Sequence, residues 1–377
     1  MRLCLVIEAG GGGAGRHVID LAGEMTRRGH HVHLIYSDVR AEPRYLREIT
    51  ALPISRETID IRRSLGLHDL GAVQKLSAAL KRSGPFDIVH GHSSKAGAIV
   101  RLAAVGGAKR VYTPHAFRGL DPHASVAART VFNGAEILLG ATRTDALIAV
   151  SGEELDFARR LHIADGRCHL IRNGVVDVPD IDRATARRTL DLPDDAIVIG
   201  FVGRLSYQKA PERFIEVMAG AMRADPRVHA VVLGDGECAA ETEAGIAASG
   251  VAERFVWHKS MRAQDVIPAF DAIMMTSRYE GLSYVMLESL AGGVPIITTA
   301  VAGAQDVIGN TGCGIVTRND DRVIEGLTEA VMRIVADAGL RAGMAEAARR
   351  RSGELNGPRM VDETEALYRS LTQESQR

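Results

Sequence analysis

Arg204 and Lys209 stand five residues apart, directly after Gly203 and the apolar run Ile197 to Val202. A guanidinium forks two oxygens and an ammonium adds a movable point charge, the pairing a diphosphate requires; a solvated surface pair is the plain alternative. The loop Ser277-Arg278-Tyr279-Glu280-Gly281-Leu282-Ser283 leaves a second apolar run, Ala272 to Thr276, and enters a helical stretch carrying Glu288. Ser283 fits an N-cap, and the N–H groups of Gly281, Leu282 and Ser283 make an anion cradle at a helix start. Two carboxylates beside an anion repel it unless each has another task. Accepting hydrogen bonds from sugar and ribose hydroxyls is such a task, so Glu280 and Glu288 point to a polyhydroxylated ligand. Gly234-Asp235-Gly236, after the run His229 to Leu233, either permits close approach of backbone to ligand or is a plain β-turn.

The front half carries its own set. Gly10-Gly11-Gly12-Gly13-Ala14-Gly15 contains GxGxxG at Gly10, Gly12 and Gly15, with Asp38 following 23 residues after Gly15. Three readings stay open for it: a tight turn, bare backbone approached by a sugar or phosphate at a helix N-terminus, or a nicotinamide dinucleotide site with Asp38 on the ribose. His90-Gly91-His92-Ser93-Ser94-Lys95 closes one strand and opens a helix, and Thr113-Pro114-His115 closes the next strand. The His-x-His spacing invites a metal reading, yet no carboxylate or Cys lies nearby in sequence and no clear Asp-x-Asp stands at a strand end, so no metal is expected. His115, held after Pro114, suits contact with a bound sugar.

Strand ends must hold these residues, and the hydropathy pattern supplies them. It gives strand Leu3 to Glu8, the Gly loop, helix Arg16 to Arg28 and strand His31 to Tyr36, then helix Leu70 to Arg82, strand Ile88 to His90 and helix Lys95 to Val105. Strand Arg110 to Thr113, a helical region from Val126 to Gly140, strand Ala146 to Val150, a helix from Glu153 and strand Cys168 to Ile171 follow. After a turn-rich linker, Asp177 to Asp195, the alternation restarts with strand Ile197 to Val202, helix Glu212 to Arg223, strand His229 to Leu233 and helix Glu237 to Ser249. Strand Phe255 to Trp257, helix Ala263 to Phe270, strand Ala272 to Thr276, helix Tyr284 to Gly292 and strand Pro295 to Thr298 complete it, and Asp320 to Arg351 reads as helical. The expected fold class is α/β: two doubly wound parallel-sheet domains, 1–180 and 181–358, with a closing helix in 359–377 that crosses back onto the first. In open parallel sheets ligands sit beyond the carboxyl ends of strands, so two such domains face to face place a site in the cleft between them.

Composition narrows the class. The 377 residues are 46% hydrophobic and 25% charged with 39 Gly and 12 Pro, which excludes disordered, collagenous and coiled-coil chains. Cys4, Cys168, Cys238 and Cys313 are too scattered for a disulfide framework and suit a reducing cytosol. No signal-peptide pattern opens the chain, and no apolar run approaches the roughly 18 residues of a membrane span, so a cytoplasmic protein with at most peripheral membrane contact is expected. The net charge of −1 hides an asymmetry: residues 1–185 hold 25 Lys and Arg against 20 Asp and Glu, leaving 21 against 27 for the rest. The basic front half suits an anionic partner.

Taken in order, the loops resemble the retaining, nucleotide-sugar-dependent glycosyltransferases of the GT-B fold, glycosyltransferase family 4. The resemblance spans nearly the whole chain and rests on the Gly loop, His92 to Gly97, Thr113-Pro114-His115, Ile171-Arg172-Asn173-Gly174-Val175, Gly203-Arg204 with Lys209, and Glu280 with Glu288. It implies two Rossmann-like domains. Arg204 and Lys209 would bind the donor diphosphate and balance charge as the nucleotide leaves. Glu280 would contact donor-sugar hydroxyls, Glu288 the ribose, and the backbone of Gly281, Leu282 and Ser283 the phosphates. Gly203, Gly234 and Gly236 would line the donor site, with Val256, Trp257 and His258 against the base. His115 would touch the transferred sugar, and Gly10, Gly11, Gly12 and Gly13 would sit under the diphosphate and reacting centre. His92, Ser93, Lys95 and Asn173 would fall on the acceptor side. Departures from the family pattern are Ala210 and Ala116, where Gly is usual after the Lys and frequent after the His, and Gly292-Gly293, where Cys or Ser with Gly is frequent.

The resemblance also implies that the acceptor hydroxyl attacks the face the diphosphate leaves, with no metal and no cofactor beyond the nucleotide-sugar substrate. A UDP-sugar is expected ahead of GDP-mannose. The expected acceptor is a lipid-diphosphate-linked saccharide or other glycan of bacterial surface polysaccharide assembly at the inner membrane, drawn by Arg40, Arg44, Arg47, Arg56, Arg62, Arg63, Arg101, Lys109 and Arg110. No nucleic-acid partner is expected. Rival readings are a nicotinamide-dependent dehydrogenase, which leaves Arg204, Lys209 and the Glu pair idle, an epimerase or phosphorylase of the same two-domain plan, and a non-catalytic sugar-nucleotide-binding module.

Overall fold

Apolar runs separated by loop residues assemble into two parallel sheets with helices on both faces in a computed structural model, which describes residues 1–8, 10–39, 41–62, 66, 68–121, 124–176 and 179–374, with Glu374 by its backbone alone. Arg40 and Arg63, counted above among the basic residues, and Asp177, where the linker is expected to begin, lie outside the described residues. The chain divides into a front unit, residues 1–174 with 357–377, and a rear unit, residues 175–356. Each boundary falls a few residues before the expected one.

The front unit contains β1 (Arg2–Ile7), α1 (Gly12–Arg27), β2 (His31–Tyr36), α2 (Pro43–Ala51), β3 (Ser55–Thr58), α3 (His68–Ser83), β4 (Ile88–His92), α4 (Ser94–Leu102), β5 (Lys109–Thr113), α5 (Val126–Thr142), β6 (Ala146–Ala149), α6 (Gly152–Arg160) and β7 (Cys168–Leu170). The rear unit follows with α7 (Arg183–Thr189), β8 (Ile197–Val202), α8 (Pro211–Ala224), β9 (Val228–Leu233), α9 (Ala239–Ala248), β10 (Phe255–His258), β11 (Ala272–Met275), α10 (Tyr284–Ala291), β12 (Ile296–Thr299), α11 (Ala304–Val307), β13 (Gly314–Thr317), α12 (Val323–Ala336) and α13 (Ala338–Glu354). Last comes α14 (Gly357–Glu374), which packs against α1 of the front unit.

Strand order is β3-β2-β1-β4-β5-β6-β7 in front and β10-β9-β8-β11-β12-β13 behind. Strands buried on both faces need apolar residues at every position: Leu3, Leu5 and Ile7 pack with Val18, Leu21 and Tyr368, while Cys4 and Val6 pack on the other face with Leu76 and Ile99. The order reverses beside β1 in one sheet and beside β8 in the other. These are the switch points where open sheets hold ligands. The Gly loop and His92-Ser93 flank the first, and Gly203 to Lys209 and Ser277 to Ser283 flank the second.

Several elements depart from the sequence reading. Helix α1 begins at Gly12, inside the Gly run, and α2, β3, α11 and β13 are additional, as is α7, which lies within the stretch expected to be a turn-rich linker and is capped by the Asp182 carboxylate accepting from Thr185 N. Residues 263–270 form two short three-residue turns, not a helix, because Pro268 has no N–H to continue one. The long helix expected over 320–351 breaks at Asp337, whose carboxylate accepts from Leu340 N at 2.9 Å and starts α13 afresh.

Under α4, Arg101 is 1% exposed and its Nη1 donates to Glu136 Oε2 at 2.8 Å, while Tyr112 Oη donates to Glu136 Oε1 at 3.0 Å. Arg101 thus serves the core and not an anionic partner. Replacing Glu136 with Ala strands the guanidinium and is expected to cost about 3 kcal/mol. Urea unfolding followed by circular dichroism measures this, and a loss below about 1 kcal/mol would contradict the pairing.

Candidate active site

Parallel strands β8 and β11 deliver Lys209 and Glu280 to one place although 71 residues separate them. Lys209 Nζ lies 2.5 Å from Glu280 Oε1, and the two side chains are only 17% and 7% exposed. Glu280 also accepts from Ser277 Oγ at 2.6 Å and from Gln208 Nε2 at 3.4 Å. A diphosphate that takes the ammonium competes with this carboxylate, whose lone pairs then become available to hydroxyl donors. Arg204 is exposed in the same loop.

Neighbouring groups hold that loop. Thr276 Oγ1 donates to the Lys209 carbonyl at 2.9 Å, Asn319 Nδ2 donates to the Arg278 carbonyl at 3.0 Å, and Arg278 pairs with Glu212 at 2.6 Å. Ser283 occupies the N-cap position of α10, but its hydroxyl makes no capping hydrogen bond. Glu288 is half-buried and accepts from Gln264 Nε2 at 3.0 Å. It also lines a cavity of about 630 Å³ with Asp271, Pro295, Arg341 and Arg349, toward the amino ends of β11 and β12. We place the site at the carboxyl ends instead, since there the switch point, the cation and the glycine loops coincide.

The glycines after β8 and β9 answer first to each other. A methyl group at Gly234, whose φ is +144°, would come within 2.0 Å of the Gly203 carbonyl oxygen, and one at Gly236 within 2.3 Å of the Leu205 carbonyl. Trp257 Nε1 donates to the Gly234 carbonyl at 2.9 Å, so the indole fastens this loop while Val256 and His258 occupy the other face of the strand. Both departures from family glycine fall on left-handed backbone: φ is +51° at Ala210 and +132° at Ala116.

In the front unit, strand ends converge on a cluster of buried imidazoles. His92 Nδ1 lies 3.1 Å from His115 Nε2, and His17 Nδ1 lies 3.0 Å from Asn173 Oδ1. His90, its ring 3.9 Å from that of His92 and tilted by 35°, has both nitrogens engaged, with Tyr368 Oη at 2.5 Å and Thr113 Oγ1 at 2.8 Å. His92 and Asn173 are buried behind His115, which itself has φ +54°. Ser93 caps α4 through Ala96 N, and Lys95 pairs with Asp69 at 2.6 Å. His17, His90, Thr113 and Tyr368 are not among the expected site residues; only the fold brings them together. Ring nitrogens of His17, His92 and His115 all lie within 4.8 Å of one another, but the closest bonds among these rings are to Asn173 and to each other.

The Gly run divides between structure and access. A methyl group at Gly10 would meet the Tyr45 ring at 2.6 Å, so α2 demands that glycine, whereas one at Gly11 would meet the Glu42 carboxyl, the mobile end of a side chain, at 2.4 Å. Gly12, with φ +55°, has open space at its Cα, and Gly13 is exposed.

Burial pushes His17 down to about 4 from an ordinary 6.5, against a smaller upward pull from Asn173. Burial also holds His90, His92 and His115 well below the ordinary value, with added repulsion from neighbouring imidazoles. The unfolded chain therefore takes up protons near pH 6.5 that the fold refuses until lower pH. Stability is fully present above pH 6.5 and falls as pH drops toward 4, by about 3 kcal/mol for His17 alone. Glu365, lowered to about 2 chiefly by its Arg28 hydrogen bond, acts only in a separate window below 4.5. Tm is expected to decline steeply between about pH 6.5 and 4.5, less so in His17→Gln; a Tm independent of pH there would refute the neutral cluster.

Residues 11–177 match the family described as Glycosyltransferase Family 4, and residues 182–351 match glycosyl transferases group 1. Two D-inositol 3-phosphate glycosyltransferases are similar. That of Stackebrandtia nassauensis is 27% identical over 72% of this chain and 65% of its own length, and that of Actinosynnema mirum 29% identical over 89% and 86%. The crystal structure of Anabaena Alr3699/HepE in complex with UDP-glucose superimposes with a TM-score of 0.82 at 19% identity, covering 98% of this chain and 100% of that one. Both halves being matched in order on paired parallel sheets, the chain belongs to the family 4 type of GT-B glycosyltransferases.

Proposed function

We propose that this protein moves a sugar from a UDP-sugar, in preference to GDP-mannose, to a lipid-linked saccharide or other glycan acceptor of bacterial surface polysaccharide, with retention and without a divalent cation. The observation that carries this reading is the half-enclosed Lys209–Glu280 pair at the rear switch point, one charge for a diphosphate and one acceptor for hydroxyls. The acceptor hydroxyl forms its bond to the anomeric carbon on the face from which the diphosphate departs, and its proton passes to a phosphate oxygen. Lys209 and Arg204 take up the charge that develops on the leaving group, so positioning and electrostatics suffice. His115 meets the transferred sugar. Glu42 beside Gly11 disfavours a phosphate there, so Gly12 and Gly13 are assigned to sugar hydroxyls.

UDP preference draws on the likeness to the Anabaena protein, whose structure holds UDP-glucose. Support for a membrane-borne acceptor comes from α5: Val126, Val131, Ile137 and Leu138 are exposed, while its acid, Glu136, is turned inward. Among the described residues no helix is long and apolar enough to cross a membrane. The contact proposed is peripheral, on the cytoplasmic face. A second reading, a small phosphorylated cyclitol as acceptor, draws on the activity for which the two relatives are named. The nicotinamide reading is not favoured, because the matched families account for the loops that it leaves idle.

The test is radiolabel transfer from UDP-sugars and GDP-mannose, without added metal, to a membrane extract or to D-inositol 3-phosphate. Label from a UDP-sugar in the extractable lipid fraction is expected. Label on the cyclitol alone would select the second reading, and transfer to neither would overturn both.

A further inference from the structure

We propose that Tyr368, on the closing helix α14, is a positioning residue for sugar transfer: it sets the His90 ring and, through it, the His92–His115 pair. This deepens the reading above and rests on it.

A tyrosine at this position has a cost that phenylalanine avoids. Tyr368 is 0% exposed among Leu3, Leu5, Ile148, Ile171 and Val361, so its hydroxyl leaves water and must find a partner. It finds His90 Nδ1 at 2.5 Å. Thr113 Oγ1 engages the opposite nitrogen at 2.8 Å, so His90 is held at both ends and its ring cannot turn over without losing both bonds.

The next ring lacks that double hold. His92 is bonded through Nδ1 to His115, but its Nε2 is enclosed with no partner. Of the rings packed on it, His90 lies nearest, 3.9 Å away at 35°, with His17 at 5.3 Å and His115 at 5.4 Å. His115 in turn receives its orientation from His92 and from His17, whose ring lies 4.7 Å off, while its own backbone is left-handed and depends on packing to stay so. An oxygen 278 residues from His90 in sequence therefore governs the imidazole assigned to the sugar.

The experiment compares Tyr368→Phe, Thr113→Val, their double variant, and Leu371→Ala, an apolar truncation one turn further along the buried face of α14, in the full chain with UDP-glucose as donor. Tyr368→Phe is expected to lower kcat about 10- to 100-fold with donor KM within about threefold. Since both hydroxyls act through one ring, the double variant should lose far less than the product of the single losses. Leu371→Ala should lower Tm without lowering kcat below its melting range. Nitrogen NMR of labelled histidine rings supplies a readout needing no turnover: Tyr368→Phe should shift His92 and His115 as well as His90. Wild-type kcat with unmoved His92 and His115 signals, or kcat losses that track Tm in Leu371→Ala too, would overturn the proposal. His115→Ala separates the two layers: if it keeps full turnover, the role given to His115 fails and this inference with it, whereas an inactive His115→Ala beside a fully active Tyr368→Phe sinks the inference alone.

Discussion

Lys209→Ala is expected to lower kcat/KM by about 10³-fold and to weaken UDP binding at the same time. The ammonium is 17% exposed and sits against Glu280, so water screens it poorly and its charge counts for more than that of a surface lysine. Removing it takes away the cation assigned to the leaving diphosphate and also leaves the Glu280 carboxylate, 7% exposed, facing an incoming dianion unopposed. Both effects act in the same direction. Lys209→Met, which keeps the stem, should behave like the alanine variant; Lys209→Arg should recover part of the binding, limited by the space beside Gly203, whose Cβ position lies 3.4 Å from the lysine Cε. Calorimetric titration of UDP together with steady-state kinetics checks this, and an unchanged UDP affinity in Lys209→Ala would contradict the assignment.

Glu280→Gln should split the two quantities that Lys209→Ala moves together. The amide is nearly isosteric and still accepts from Ser277, but it releases the ammonium from its carboxylate partner. UDP affinity is therefore expected to hold or rise, while kcat with the UDP-sugar falls about 10²-fold because an acceptor for sugar hydroxyls is weakened. A plain loss of fold would lower both, and circular dichroism separates that outcome. Weakened UDP binding in a folded Glu280→Gln would mean that the carboxylate supports the nucleotide and not the sugar.

Much of this architecture is written locally. Strands such as Ile197–Val202 and Ala272–Met275 are continuous apolar runs because both faces are covered, and each ends on the loop that carries chemistry. Hence Lys209, Glu280 and His115 stand out from residue type and position alone. Their pairing does not. Ser277 meets Glu280 within a single loop, but only the β8–β11 adjacency brings Gln208 and Lys209 onto it. The imidazole cluster is further from view: His17 lies on a helix that reads as ordinary amphipathic sequence, and Tyr368 looks like one more core position of the closing helix.

Elements that are not legible in the sequence have identifiable reasons. Helix α2 has Pro43 in its first turn and buries Tyr45 and Ile49 four apart, a signal present but short; strand β3 is only four residues, mostly exposed. Residues 263–270 show helical spacing that Pro268 defeats. For the Gly run the residues alone leave a tight turn and a ligand site both open, and only the family resemblance places Gly10 to Gly13 under the diphosphate; the Tyr45 ring of the unexpected α2 accounts for Gly10.

Everything proposed for the reaction depends on the rear switch point binding a nucleoside diphosphate through Lys209. Calorimetric titration of UDP, GDP and NADH, without metal, into wild-type protein, Lys209→Ala and Gly12→Val measures this. Saturable UDP binding to the wild type is expected, weakened at least about 30-fold in Lys209→Ala and little changed in Gly12→Val. Equal UDP affinity in Lys209→Ala would show that Lys209 does not grip the donor, and tight NADH binding that Gly12→Val abolishes would favour the nicotinamide reading instead.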